Sequence, residues 1–272
     1  MKKLITNILV LVLFTALFAG CKKDKGDPPL LPPYESMTID FTNFASLTKG
    51  AAQDFSVKGT NTSNWEFAAG VAVIWKLIIA NTLAVPVASF KVAVDQTPVY
   101  LDKNFWQWSY NVSNLGVTYK ARLTGLIGAT NVTWKMYIAR EGTTGAFPEF
   151  IWFEGTSKLD GTGGQWILNE SAATPAPYLQ IDWTKSGTTI GKITYTSVKN
   201  LSSFKGSYIE YGLTSAALNA YYTIHYYNDT KFSDVNVEWN TTTKNGRVKC
   251  LEYLGDTNWY CWDATKLNVI CP

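Results

Sequence analysis

This chain is poor in the groups that most often do chemistry. It has one histidine, His225, so a His-rich or Cys/His metal site cannot be assembled from it. Its four cysteines contain no Cys-x-x-Cys spacing, which removes redox motifs and zinc knuckles. No serine sits in a Gly-x-Ser-x-Gly elbow. The glycine-rich run Lys158 to Gly164 lacks Gly-Lys-Ser/Thr, so it is not a phosphate loop, and its one carboxylate makes a poor calcium loop. Charged residues are only 17% of the chain, and no basic stripe is present, which argues against nucleic acid. No cofactor is implied.

What is present begins with an export signal. Lys2 and Lys3 precede an apolar run, Leu4 to Phe18, that is short for a membrane-spanning helix. Leu17-Phe18-Ala19-Gly20-Cys21 resembles the lipobox of bacterial lipoproteins. That resemblance implies a signal peptide over 1–20 and a lipidated Cys21 that anchors the mature chain. Lys22-Lys23-Asp24-Lys25 is similar to the surface-export signal of Bacteroidota lipoproteins, and a lysine after the cysteine implies an outer-membrane destination. The competing reading is an ordinary secretory peptide cut near Gly20. Asp27 to Pro33 holds paired prolines, which favour an extended spacer, so 21–35 reads as a tether and 36–272 as one domain. The formal charge of +3 falls to +1 without Lys2 and Lys3, and to about zero without the +1 of residues 22–27, leaving a neutral domain.

Beyond the tether the pattern is strand-like. Apolar residues alternate with polar ones along 106–112, 117–123, 132–138, 179–183, 193–198, 208–213, 221–227, 235–239 and 247–251, as in half-buried antiparallel strands. Short runs at 150–154 and 165–168 join them. Ala88, Phe90, Val92 and Val94 alternate likewise, as do Met37, Ile39 and Phe41. Asn228-Asp229 and Asn245-Gly246 are turn chemistry, the latter the strongest hairpin signal. The expectation is an all-β, antiparallel up-and-down meander of about 11–12 strands, forming a barrel or strongly curled sheet. One helix, about 65–80, is apolar on most sides and reads as a buried plug. An outer-membrane barrel is opposed by the irregular, cysteine-bearing end of the chain.

Cys250, Cys261 and Cys271 give one disulfide and one thiol. Cys250–Cys261 could face each other across a hairpin. Cys261–Cys271 would staple the tail to the sheet and is preferred, because bridges directly across adjacent strands tend to be strained.

Catalytic candidates are sparse. His225 could pair with a tyrosine for proton transfer, or simply be a hydrogen-bonded residue on a sheet face. Glu149 and Glu154 are five apart, which in a regular strand points them to opposite faces. Asp182, Glu210 and Glu238 sit on polar faces. The outstanding feature is aromatic: 11 Trp, 15 Tyr and 13 Phe. Most read as core. A barrel too wide to fill could instead keep an aromatic pocket, with Trp106, Trp108, Trp134, Trp183, Trp239, Trp262 and His225 as candidate ligand-binding residues. The resulting expectation is a non-catalytic envelope lipoprotein that binds an apolar or glycan ligand or a protein partner. The alternatives are a structural subunit of an outer-membrane assembly and a carbohydrate-active enzyme.

Overall fold

The computed structural model describes residues 25–44, 63–227 and 230–272. The signal segment, Cys21 and the Asn228-Asp229 turn lie outside the described residues.

Among the described residues fourteen strands form a single sheet in which every strand pairs only with its neighbours in sequence. They are β1 (Val99–Asp102), β2 (Phe105–Asn114), β3 (Val117–Ile127), β4 (Asn131–Arg140), β5 (Phe147–Lys158), β6 (Gly163–Asn169) and β7 (Pro177–Ser186). The second half comprises β8 (Thr189–Ser197), β9 (Tyr208–Leu213), β10 (Ala220–Tyr227), β11 (Phe232–Trp239), β12 (Gly246–Lys249), β13 (Tyr260–Trp262) and β14 (Asn268–Val269). All pairs are antiparallel, and β1 does not pair with β14, so the sheet curls without closing. The alternating pattern places one side of every long strand inward, and these side chains form one core cluster.

Helix α1 runs over Ser63–Ala93, about twice the expected 65–80. It touches β2 and β3 near one edge of the sheet and β12, β13 and β14 at the other. At about 1.5 Å per residue it is roughly 46 Å long, enough to bar the open side of the curl. Near its start, the Asn64 side-chain amide donates to the Cys261 carbonyl at 2.9 Å. Near its end, Tyr110 donates to the Ser89 carbonyl at 2.7 Å, and Phe90 packs edge-on against Trp166 at 5.3 Å.

The stretch expected as strand at 88–94 is therefore helix through Ala93. Ser89, Phe90 and Ala93 are its buried positions, a spacing of one and three that fits a helix face better than alternation. Pro86 lies within the helix, although proline usually marks an end.

The Met37–Phe41 stretch is also not a strand. Met37 ends a 3-10 turn, Tyr34–Met37, and residues 38–41 connect it to a second, Thr42–Phe44. This segment threads along the sheet's inner face. The Trp166 indole donates to Ser36 Oγ at 3.1 Å, and the Tyr222 hydroxyl donates to the Asp40 carbonyl. Phe44 packs edge-on against Trp239 at 5.1 Å. Part of the stretch expected as tether is packed as well: Pro29 and Pro32 are buried.

Tryptophan and glycine alternate across the inner face. Trp106 faces Gly125, Gly125 faces Trp134, Trp134 faces Gly155, and Gly155 faces Trp166 across five successive strands. Trp183 faces Gly164, and Trp239, Gly246 and Trp262 repeat the device near the far edge. The rings of Trp134, Trp166, Trp183 and Trp262 lie over Gly125, Gly155, Gly164 and Gly246 respectively, positions with no side chain. A Cβ at Gly155 would sit 2.0 Å from the Gln165 carbonyl oxygen and 2.7 Å from the Trp166 ring. Large and small residues thus interdigitate on a strongly curved surface, which uniform bulk could not do.

Gly246 accordingly has a packing role rather than the turn role expected of Asn245-Gly246. It is the first residue of β12, and Lys244 takes the left-handed conformation in the preceding loop. The β1–β2 turn uses Lys103 and Asn104, both at positive φ, with no glycine to mark it.

The disulfide joins Cys261 to Cys271, pinning the tail to β13, and Cys250 is a buried free thiol.

Candidate functional site

The candidate ligand tryptophans are core residues. Trp106 is 6% exposed, and Trp108, Trp134, Trp183, Trp239 and Trp262 are at or below 2%. Two of them have their indole N–H satisfied, Trp134 donating to Ser157 Oγ and Trp262 to the Lys244 carbonyl, whereas those of Trp106 and Trp183 are buried without a partner. Residues 29–44 and α1 occupy the inner face against which these rings pack, so they do not line an open barrel pocket.

His225 lies on the outer face, apart from all of them. It stacks on Phe232 at 4.4 Å and on Tyr208 at 5.4 Å, and its Nδ1 is 2.7 Å from Asp234 Oδ1. The nearest tyrosine offers its ring face, which is packing rather than a proton path.

The carboxylates are engaged separately. Asp182 accepts from Gln165 and Gln180. Glu210 accepts from Thr194 and Tyr221 and pairs with Lys192. Glu238 pairs with Arg247 at 2.6 Å. Glu149 and Glu154 pair with Arg122 and Lys135 and share the outer face, contrary to their odd spacing. The reason is a bulge: Met136 faces Phe153 but Tyr137 faces Ile151, so Trp152 is an extra residue that resets the parity. Among the described residues no group of three His, Cys, Asp or Glu could hold a metal ion.

An open apolar groove lies elsewhere, at the end of the sheet where β7 and β9 begin and β8 and β10 finish. Its volume is about 560 Å³, within the range typical of small-molecule sites. Helix α1 forms one wall with Phe67, Val71, Ile74, Trp75 and Ile78. These recur at helical spacing and make one stripe. Tyr178 and Leu179 at the start of β7, and Tyr226 and Tyr227 at the end of β10, form the opposite wall. Phe204 in the β8–β9 loop and Tyr253 in the short helix α2 (Leu251–Leu254) close the sides.

Aromatic contacts fix these walls. Phe67 stacks flat on Tyr253 at 4.0 Å, and Phe204 meets Tyr227 edge-on at 6.3 Å. Besides the tyrosine hydroxyls, the polar lining groups are Ser197, Lys199, Ser202 and Ser207. Lys199 pairs with Glu170 at 2.6 Å and lies 5.8 Å above the Tyr178 ring. The Ser207 hydroxyl accepts from the Tyr227 backbone N–H. Burial pushes the Tyr226 hydroxyl above the ordinary tyrosine range, with the charges of Cys250 and Glu252 adding to it. Tyr226 therefore stays neutral at physiological pH, and so the groove offers hydroxyl donors and apolar surface rather than an acid or base.

No family model matches the chain, and no curated protein or solved structure matches it.

The groove was not read from the sequence, yet one signal pointed to it. A helix packed on a single sheet needs one apolar stripe, and α1 has two. One faces the core through Ala68, Ala72, Ile79 and Leu83; the other lines the groove.

Proposed function

We propose that this protein is a non-catalytic envelope lipoprotein whose β-domain binds an apolar ligand, of the size of a single acyl chain or a small aromatic molecule, in the groove beside α1. The observation that carries the reading is the groove itself: about 560 Å³ walled mainly by aliphatic and aromatic side chains, with three serines and Lys199 as its other lining groups. Burial of apolar area at about 25 cal/mol per Å² drives such binding. Lys199 at the rim suits a ligand with a polar or anionic end. The lipoprotein part of the proposal rests on the resemblance of residues 17–21 to a lipobox. The outer-membrane destination follows from Lys22 by the same resemblance.

A titration with a fluorescent long-chain fatty acid tests the ligand reading. Saturable one-to-one binding is expected, weakened at least tenfold by Ile78→Trp, which fills the groove from a partly exposed position. Binding unaffected by that substitution, or none at all, would count against the groove.

A further inference from the structure

We infer that the solvent-facing side of α1 rests on the lipid surface to which Cys21 would be anchored, so the domain lies against its membrane rather than standing off it. The inference rests on the lipoprotein reading and goes beyond the ligand groove.

After Trp75, one side of α1 is packed in the core and the other is open. The open side carries Ile74, Leu77, Ile78, Ala80, Ala84 and Ala88, interrupted by Asn81 and Lys91 and edged by Lys76 and Thr82. Ile74 and Ile78 are each 39% exposed. A helix at the surface of a water-soluble domain normally turns a mainly polar stripe to solvent, whereas apolar residues outnumber polar ones on this one. By length and composition α1 could even cross a bilayer. Its packing instead sets it lengthwise against the sheet, as Leu83 and Phe90 are buried.

The neighbouring β8–β9 loop extends the same apolar surface. Leu201 is fully exposed and Phe204 is half exposed, and Phe204 lines the groove together with Ile74 and Ile78. Exposed apolar side chains gathered at one pole indicate a covered surface.

Two features point to lipid as the cover. The first is charge. After Glu66 the helix carries only Lys76 and Lys91, with no carboxylate, and Lys205 stands in the adjoining loop. An apolar face flanked by lysines fits an anionic lipid surface, with the alkyl stems lying along the boundary. The second is where the chain arrives. Residues 28–35 run beside Val94 and Gln96, just past the end of α1, and Lys91 lies 5.1 Å above the Tyr34 ring. Lys25 lies 6.0 Å above the Tyr100 ring on β1. Cys21 is four residues earlier, so an extended chain reaches at most about 14 Å beyond Lys25. An anchor on so short a lead, delivered at one end of α1, holds this helix near the membrane.

The test uses the full chain reconstituted in vesicles of phosphatidylethanolamine and phosphatidylglycerol. Ala84→Cys carries a bimane probe on the open side of α1 without touching the groove, and Thr189→Cys carries one on the β7–β8 turn as reference. The mass of the N-terminal peptide reports whether Cys21 is acylated. The expected result is an acylated Cys21 with iodide quenching severalfold weaker at position 84 than at 189. An acylated chain quenched equally at both positions overturns the docking face and leaves the anchor standing. An unmodified Cys21 with position 84 still shielded removes the anchor and supports the face; an unmodified Cys21 with both positions open removes both.

Discussion

The inner face of the sheet and the outer face of α1 are both apolar, and they differ in what covers them. The inner face carries the tryptophans expected to bind ligand. Each has a glycine opposite, a helix or an N-terminal residue above it, or both, and none is more than 6% exposed among those expected to bind ligand. The outer face of α1 has no tryptophan pairs and no glycine sockets, yet Ile74 and Ile78 remain open there and form a wall of the groove. Aromatic richness in this chain reports curvature and packing. Binding capacity is found instead where ordinary aliphatic residues are left uncovered.

Substitutions should separate the two faces, and the largest effect belongs inside. Gly155→Ala brings a Cβ against the Gln165 carbonyl and the Trp166 ring, which cannot both move away. A loss of about 3 kcal/mol or more is expected in urea unfolding; near-neutral behaviour would refute the tryptophan–glycine account. Cys271→Ser opens a ring with a sequence separation of 10, and a ring of that size is worth about 2–3 kcal/mol. Its groove should keep its affinity, because neither cysteine is among the residues that line it.

A pH series sharpens the comparison next. Burial pushes Tyr211, on the inner face, up to about 12, against an ordinary value of 10.0. Above pH 10 the unfolded chain gives up that proton while the folded chain keeps it. The stability linked to Tyr211 is therefore full below pH 10 and declines as pH rises toward about 12. Thermal melts should fall through that window, and a melting temperature flat across it would contradict the burial. On the open face, Ile78→Trp should shift stability by less than about 1 kcal/mol while weakening ligand binding at least tenfold, since surface changes away from the core cost little. The smallest effect is expected from Glu149→Gln, which breaks an exposed pair with Arg122 worth about 0–1 kcal/mol. A large loss there would mean that the outer sheet face matters more than its hydrogen bonding suggests.

Much of the sheet was legible from period-two alternation, because nearly every strand has one buried and one solvated face. The inner rows were not legible. Trp134 opposite Gly155 is a fact of register, and register appears only once strands are paired. The three strands that alternation missed, β1, β13 and β14, have four, three and two residues, too few to show a period. The second half of α1 was hidden by Pro86 and by small residues that mimic alternation between 88 and 94. The carboxylate pair Glu149 and Glu154 was misplaced by one bulged residue. The preferred disulfide was the one formed, although Cys271 lies just past β14, the neighbour of β13, and Cys250 stands beyond β12 and does not face Cys261. The groove escaped notice because its residues are ordinary core types at ordinary helical spacing, and only the curl of the sheet leaves them open.

Calorimetric titration of the intact protein with a long-chain fatty acid, run at several temperatures, tests the central claim most directly. The account predicts one site per chain and a negative heat-capacity change from apolar burial, with binding weakened at least tenfold in Ile78→Trp. Heats that are absent, or that persist unchanged when the groove is filled, would contradict it.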